Sequence, residues 1–155
     1  MVLFGQFLDI WKLAHPLVNE LPRHHGASSS HSGIDIPAPE GTALLAVADG
    51  IITFTQFLGA GGYTITLSFQ NYKVSYCHCS PNYIVSVGQY IKQGEIIGYV
   101  GPKYVYNVPG NQYKDSTGKP TNGASTGTHL HLGIRIDDKY QNPINFFSIW
   151  LILFF

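Results

Sequence analysis

The sequence predicts an all-β fold, an antiparallel β-sandwich or barrel-sandwich with short flanking helices or loops, from its residue clustering and its turn punctuation. Tyr, Phe, Ile, Val and Thr gather in short runs separated by Gly, Pro, Asn and Asp, and long helical periodicity is missing from the middle of the chain. The runs lie at residues 43–48, 50–56, 63–69, 73–79, 84–85, 89–91, 96–100 and 129–136. Gly41, Gly50, Gly59 to Gly62, Gly88, Gly94 and Gly101 punctuate them as turn residues. Ahead of the first run, Gly33 followed by Pro37 and Pro39 argues against a helix and for a turn entering an extended strand. Short strands at such spacing pack as antiparallel sheets in a sandwich or a partly closed barrel.

The chain has 155 residues, enough for one domain with a core, and no composition shift divides it. The organisation expected is an N-terminal amphipathic segment at 1–22, a domain at 23–147 and an apolar tail at 148–155. Charged residues make up 12% of the chain, nine basic against nine acidic, so there is no electrostatic footprint for nucleic acid.

Chemistry concentrates in three places. His31-Ser-Gly-Ile-Asp35 pairs an imidazole with a carboxylate near a bend, and His129-Leu130-His131 sets two imidazoles on one strand face, about 6.5–7 Å apart along the chain. Together they read as a metal site. Two His and one carboxylate leave a fourth position on tetrahedral zinc for water, the ligand count of a catalytic rather than a structural centre. Between them lies Tyr76-Cys77-His78-Cys79-Ser80. Strict alternation would put Val74, Tyr76, His78 and Ser80 on one face and both thiols on the other, as small core hydrophobes. A disulfide between residues two apart on a flat strand would strain its Cβ geometry.

These motifs, in this order, resemble the lysostaphin-like (LytM-type) zinc metalloendopeptidase family, which cuts bacterial peptidoglycan. That family is marked by His-x-x-x-Asp, a middle Tyr-x-His and a closing His-x-His. Here they stand as His31/Asp35, Tyr76/His78 and His129/His131. The flanks agree: His31-Ser-Gly-Ile-Asp-Ile-Pro-Ala-Pro-Glu-Gly-Thr, Ala48-Asp-Gly-Ile-Ile, and the segment Val87 to Gly101. The resemblance covers about residues 23–147.

It implies one zinc ion held by His31, Asp35 and His131, polarising the scissile carbonyl and drawing the pKa of water toward neutrality. His129 is the choice for general base. His78 would assist by hydrogen bonding to the water or the developing oxyanion. Exchanging the roles of His78 and His129 fits the sequence equally well. No Glu follows a ligand His as in a His-Glu-x-x-His zincin, which favours imidazole as the base. The substrate implied is a peptidoglycan cross-bridge or stem peptide.

Other residues read more plainly. His24 and His25 are expected as exposed loop histidines where the family often carries an aromatic hydroxyl, and His15 as structural. The turns around Val87-Gly-Gln and Lys92-Gln-Gly also resemble biotinyl and lipoyl carriers. A carrier's modifiable Lys usually lies between Met residues, and the only Met is Met1. The aperiodic stretch from 102 to 124 is expected to wall the substrate groove, offering Tyr104, Tyr106 and Tyr113.

Phe4, Phe7, Leu8, Trp11 and Ala14 fall at helical spacing without the basic start or small-residue cleavage pattern of a signal peptide. The end, Phe146 to Phe155, is too short to span a bilayer as a helix. The N-terminal segment is expected as an amphipathic helix packing on the domain or on a partner, and the C-terminal tail as buried within an assembly, with membrane contact left open. The location expected is extracellular or the bacterial cell envelope, with carriage on a phage tail tip or in a lysis system as the route. Two other functions compete: a non-catalytic wall-binding or hydrolase-activating relative, and a non-haem iron oxygenase using the same two-His-one-carboxylate set, with Arg135 as cosubstrate anchor.

Overall fold

The structure, a computed structural model, describes residues 32–146, save the side chain of Ile144. The segment 1–22, His24, His25, His31 and the tail 148–155 lie outside the described residues.

Among the described residues nine strands form two antiparallel sheets: β1 (Ile34–Pro37), β2 (Ala43–Leu45), β3 (Gly50–Phe57), β4 (Tyr63–Phe69), β5 (Tyr72–Cys77), β6 (Tyr90–Ile91), β7 (Ile96–Tyr99), β8 (His129–Ile136) and β9 (Lys139–Gln141). The larger sheet runs β1-β8-β5-β4-β3-β6, with β9 also on β8, and β2 pairs with β7 in the smaller one. Helical structure among the described residues is limited to 3-10 turns at Gly59–Gly61 and Pro143–Phe146. No helix among these residues is long and apolar enough to cross a membrane.

The all-β, antiparallel expectation holds. Strands β4 and β8 have the expected bounds, while 84–85 forms no strand and β9 was not foreseen. Period-two alternation decides what the large sheet shows on each face. Ile34 and Ile36 of β1, Ile65 and Leu67 of β4, Val74 and Tyr76 of β5, and Leu130, Leu132 and Ile134 of β8 enter one core with Leu44 of β2 and Ile97 of β7. Gly98 lets the smaller sheet close on the larger, because a Cβ there would stand 2.7 Å from Ile65 Cδ1. Tyr76 is buried whole. Its hydroxyl accepts from Val47 N–H at 3.0 Å and donates to the Leu45 carbonyl at 3.1 Å, tying β5 to the segment after β2.

The opposite face of the large sheet is polar. Along the outer edge of β8, β1 pairs with 129–132 and β9 with 134–136, so Gly133 sits at the junction of the two. The β8–β9 hairpin turns through Asp137 and Asp138, both at positive φ as a tight two-residue turn demands.

Candidate active site

On the polar face, register brings distant residues together. Asp35 lies opposite His131 across β1–β8, and His131 opposite Cys77 across β8–β5. Asp35 Oδ1 stands 2.6 Å from His131 Nδ1 and 3.6 Å from His129 Nε2. The His78 ring lies 4.6 Å from that of His129 and 6.2 Å from that of His131, centroid to centroid. These four side chains line a cavity of about 420 Å³.

Two of the imidazoles have their tautomers set by carbonyls. His129 Nδ1 is 2.9 Å from the Gly127 carbonyl and His78 Nδ1 is 2.6 Å from that of Asn122. A carbonyl only accepts, so each Nδ1 carries the hydrogen and each neutral ring is left with a basic Nε2. His78 therefore presents an acceptor: it suits holding a water by its hydrogen better than donating to an oxyanion. Burial, with the neighbouring His129 second, lowers the His78 pKa to about 4 and keeps the ring neutral.

His78 reaches the cavity by a departure from alternation. Strand β5 ends at Cys77, and His78 takes φ +59°, a left-handed conformation costly for a residue with a Cβ. Cys77 and His78, adjacent in sequence, both line the cavity, whereas Cys79 returns to the core. The expectation of His78 sharing a face with Tyr76, and of both thiols sharing the other, is thus corrected. Both cysteines are free and buried, and burial pushes the Cys77 pKa up to about 11.

The left-handed residue is held from every side. Its N–H donates to Gly61 O and its carbonyl accepts from Gly101 N–H, each at 2.8 Å. Its ring is tied to Asn122, a residue the motif pattern did not reveal. Asn122 is completely buried: its Oδ1 accepts from Tyr63 N–H at 2.9 Å and its Nδ2 donates to Cys79 O at 3.0 Å. Gly62, at φ +63°, makes room for it, since a Cβ there would fall 2.2 Å from Asn122 Oδ1. A buried Asn with both ends of its amide satisfied is a positioning element, and the only signal in the sequence was its lying in Thr-Asn-Gly before the His129 strand.

The stretch 102–124 is ordered by its own contacts rather than draped over the cavity. Asp115 accepts from the Thr117 hydroxyl at 2.7 Å, from the Tyr104 hydroxyl at 2.8 Å and from Thr117 N–H and Lys119 N–H, and these hydrogen bonds hold its carboxyl below the usual carboxylate range. On that side the cavity is lined by Leu58, Ala60 and Ala124 rather than Tyr104, Tyr106 or Tyr113. In place of the expected tyrosines the wall there is the β3–β4 hairpin with Ala124 from the end of the long segment, whose N–H donates to Ala60 O at 2.8 Å.

A carboxylate oxygen of Asp35 and an imidazole nitrogen of His131 facing each other at 2.6 Å are two donors suited to zinc. Ligand atoms on a tetrahedral ion with bonds of about 2.0–2.1 Å stand about 3.3 Å apart, so this separation needs to widen by less than about 1 Å. Among the described residues no three such groups form a complete cluster. The remaining expected ligand, His31, lies outside them.

Residues 29–143 match the family model described as Peptidase family M23. The chain belongs to this family. Among curated M23 relatives, the DD-carboxypeptidase/endopeptidase Mpg of Neisseria meningitidis serogroup B is 35% identical over 116 residues, covering 74% of this chain and 22% of its own. The peptidoglycan DD-endopeptidase ShyC of Vibrio cholerae is 28% identical over 121 residues, covering 76% and 23%. The chain thus spans less than a quarter of the length of either relative. The catalytic domain of lysostaphin from Staphylococcus simulans superposes with a TM-score of 0.59 at 28% identity, over 81% of this chain and 85% of that one. The lysostaphin-like resemblance drawn from His31/Asp35, His78 and His129/His131 is borne out at the level of the family and its all-β fold.

Proposed function

We propose that this M23 domain is a zinc-dependent endopeptidase that hydrolyses peptide bonds of bacterial peptidoglycan, acting at the cell envelope. The observation that carries the reading is the convergence of Asp35, His131, His129 and His78 at one cavity on the polar face of the sheet. The names of the M23 relatives support the substrate class. Asp35 and His131, together with His31, would hold the ion, which when bound supplies Lewis acidity toward a carbonyl and acidifies water.

The protein's own groups do the rest. His129, its Nδ1–H engaged on Gly127 and its Nε2 facing Asp35, takes the proton of the attacking water and returns it to the leaving amine. His78, held neutral, accepts a hydrogen bond from that water and fixes its lone pair toward the carbonyl. The apolar alternation of β8 keeps its histidines from turning into the core.

The test is mass spectrometry of peptides released from purified Gram-positive and Gram-negative walls by zinc-loaded protein, beside chelator-treated protein and His129→Ala. New amino termini produced by the loaded wild type alone would establish the activity and name the bond. No release from either wall, despite bound zinc, would replace it with wall binding.

A further inference from the structure

The cavity continues past His131. Along the same face of β8 come Gly133 and then Arg135, with Ser75 of β5 opposite Gly133 and Tyr140 of β9 opposite Arg135. Arg135 is four residues from His131, about 13 Å along an extended strand. Its guanidinium carbon lies 5.6 Å from the Tyr140 ring centroid, within cation–π range. It forms no ion pair with any described residue.

Two charges flank it: Lys73, its cross-strand partner, and Asp138, whose carboxyl is held below its usual range first by Lys73 at 2.6 Å and then by the charge of Arg135, with which it forms no ion pair. Asp35 is the acidic side chain lining the cavity, and it stands at the other end with His131. Between them Gly133 carries no side chain, and the Ser32 carbonyl oxygen, which a Cβ there would meet at 2.9 Å, lines the cavity instead.

We infer that Arg135, backed by Tyr140, is an anchor for a free carboxylate on the peptide, and that the substrate carries that carboxylate within about four extended residue lengths of the cleaved bond. A planar guanidinium with open donors matches a carboxylate in two parallel hydrogen bonds, and a cation in a partly enclosed cleft gains most from an anion that no protein group already supplies. The carboxylate's position along β8 then sets which bond lies against His129 and Asp35. The inference rests on the peptidase reading for the second half of that statement but not for the first.

The experiment uses the full chain, zinc-loaded, as wild type, Arg135→Gln and Arg135→Lys. Three synthetic wall stem peptides serve as probes: one with a free C-terminal carboxylate, its C-terminal amide, and an amide that keeps a free side-chain carboxyl. Binding is measured by calorimetry and cleavage by kcat and KM. Wild type is expected to favour one carboxylate form over the full amide by at least tenfold, mainly through KM, and the favoured form says whether the group is terminal or on a side chain. In Arg135→Gln the ratio should fall to about one, with partial recovery in Arg135→Lys. Equal handling of acid and amide by wild type, or a Gln variant that keeps the preference, overturns the anchor. Selective binding of the acid without cleavage would uphold the anchor and sink the peptidase reading instead.

Discussion

Replacing Asn122 by Ala should disable the site from behind. The substitution removes an acceptor from Tyr63 N–H and a donor from the Cys79 carbonyl, at a side chain with no solvent exposure. Each stranded partner costs about 1–3 kcal/mol, so the loss of unfolding free energy should be about 2–6 kcal/mol. At roughly 3 °C per kcal/mol for a chain of this size, the thermal midpoint drops by roughly 6–18 °C. The Asn122 carbonyl that fixes the His78 ring would move with the loosened backbone, so kcat should fall about tenfold or more with little change in KM. Urea unfolding gives the first number, and wall-peptide kinetics well below the new midpoint give the second. The His78 Nδ1–H resonance, observed by NMR, reports the hydrogen bond directly. Asn122→Asp, which keeps the acceptor for Tyr63 and loses the donor to Cys79, should fall between. An Ala variant within about 0.5 kcal/mol of wild type and with an unshifted His78 resonance would refute the keystone role.

Three other outcomes are expected. Tyr76→Phe strands Val47 N–H and the Leu45 carbonyl and should cost about 2–6 kcal/mol in urea unfolding, with bound zinc unchanged. His131→Ala should lose zinc on dialysis while His129→Ala keeps it and loses cleavage, and equal zinc loss in both would dissolve the division of roles. His78, with its folded-state pKa lowered from 6.5 to about 4, favours folding when neutral. Its contribution is fully present above pH 6.5 and is lost as pH falls toward 4, by about 1.4 kcal/mol per pH unit. Chelator-treated wild type should therefore lose up to about 3 kcal/mol relative to His78→Gln across that window, and parallel stability curves for the two would contradict it.

What the sequence disclosed follows alternation. His129 and His131 were assigned to one face correctly because β8 is a regular strand of eight residues. The reading failed where the backbone leaves that period. His78 carries a positive φ that no spacing rule encodes, so its neighbour Cys77 was sent to the wrong side. Asn122 escaped notice because its importance lies in two amide bonds to residues 59 and 43 positions away. Strand β9 is short and polar, although Asp137-Asp138 ahead of it was a legible hairpin signal.

Strand β8 has a consequence for how such a site can change over time. One ribbon displays His129, His131 and Arg135 to the cleft and Leu130, Leu132 and Ile134 to the interior, with β1 and β5 locking its register. A slip by a single residue would exchange the two sets and empty the core as well as the cleft. Whatever selects for folding therefore also guards the spacing of His129, His131 and Arg135. The side chain opposite Arg135, Tyr140 on the short β9, lies outside that lock, so a substitution there leaves the two histidines in register.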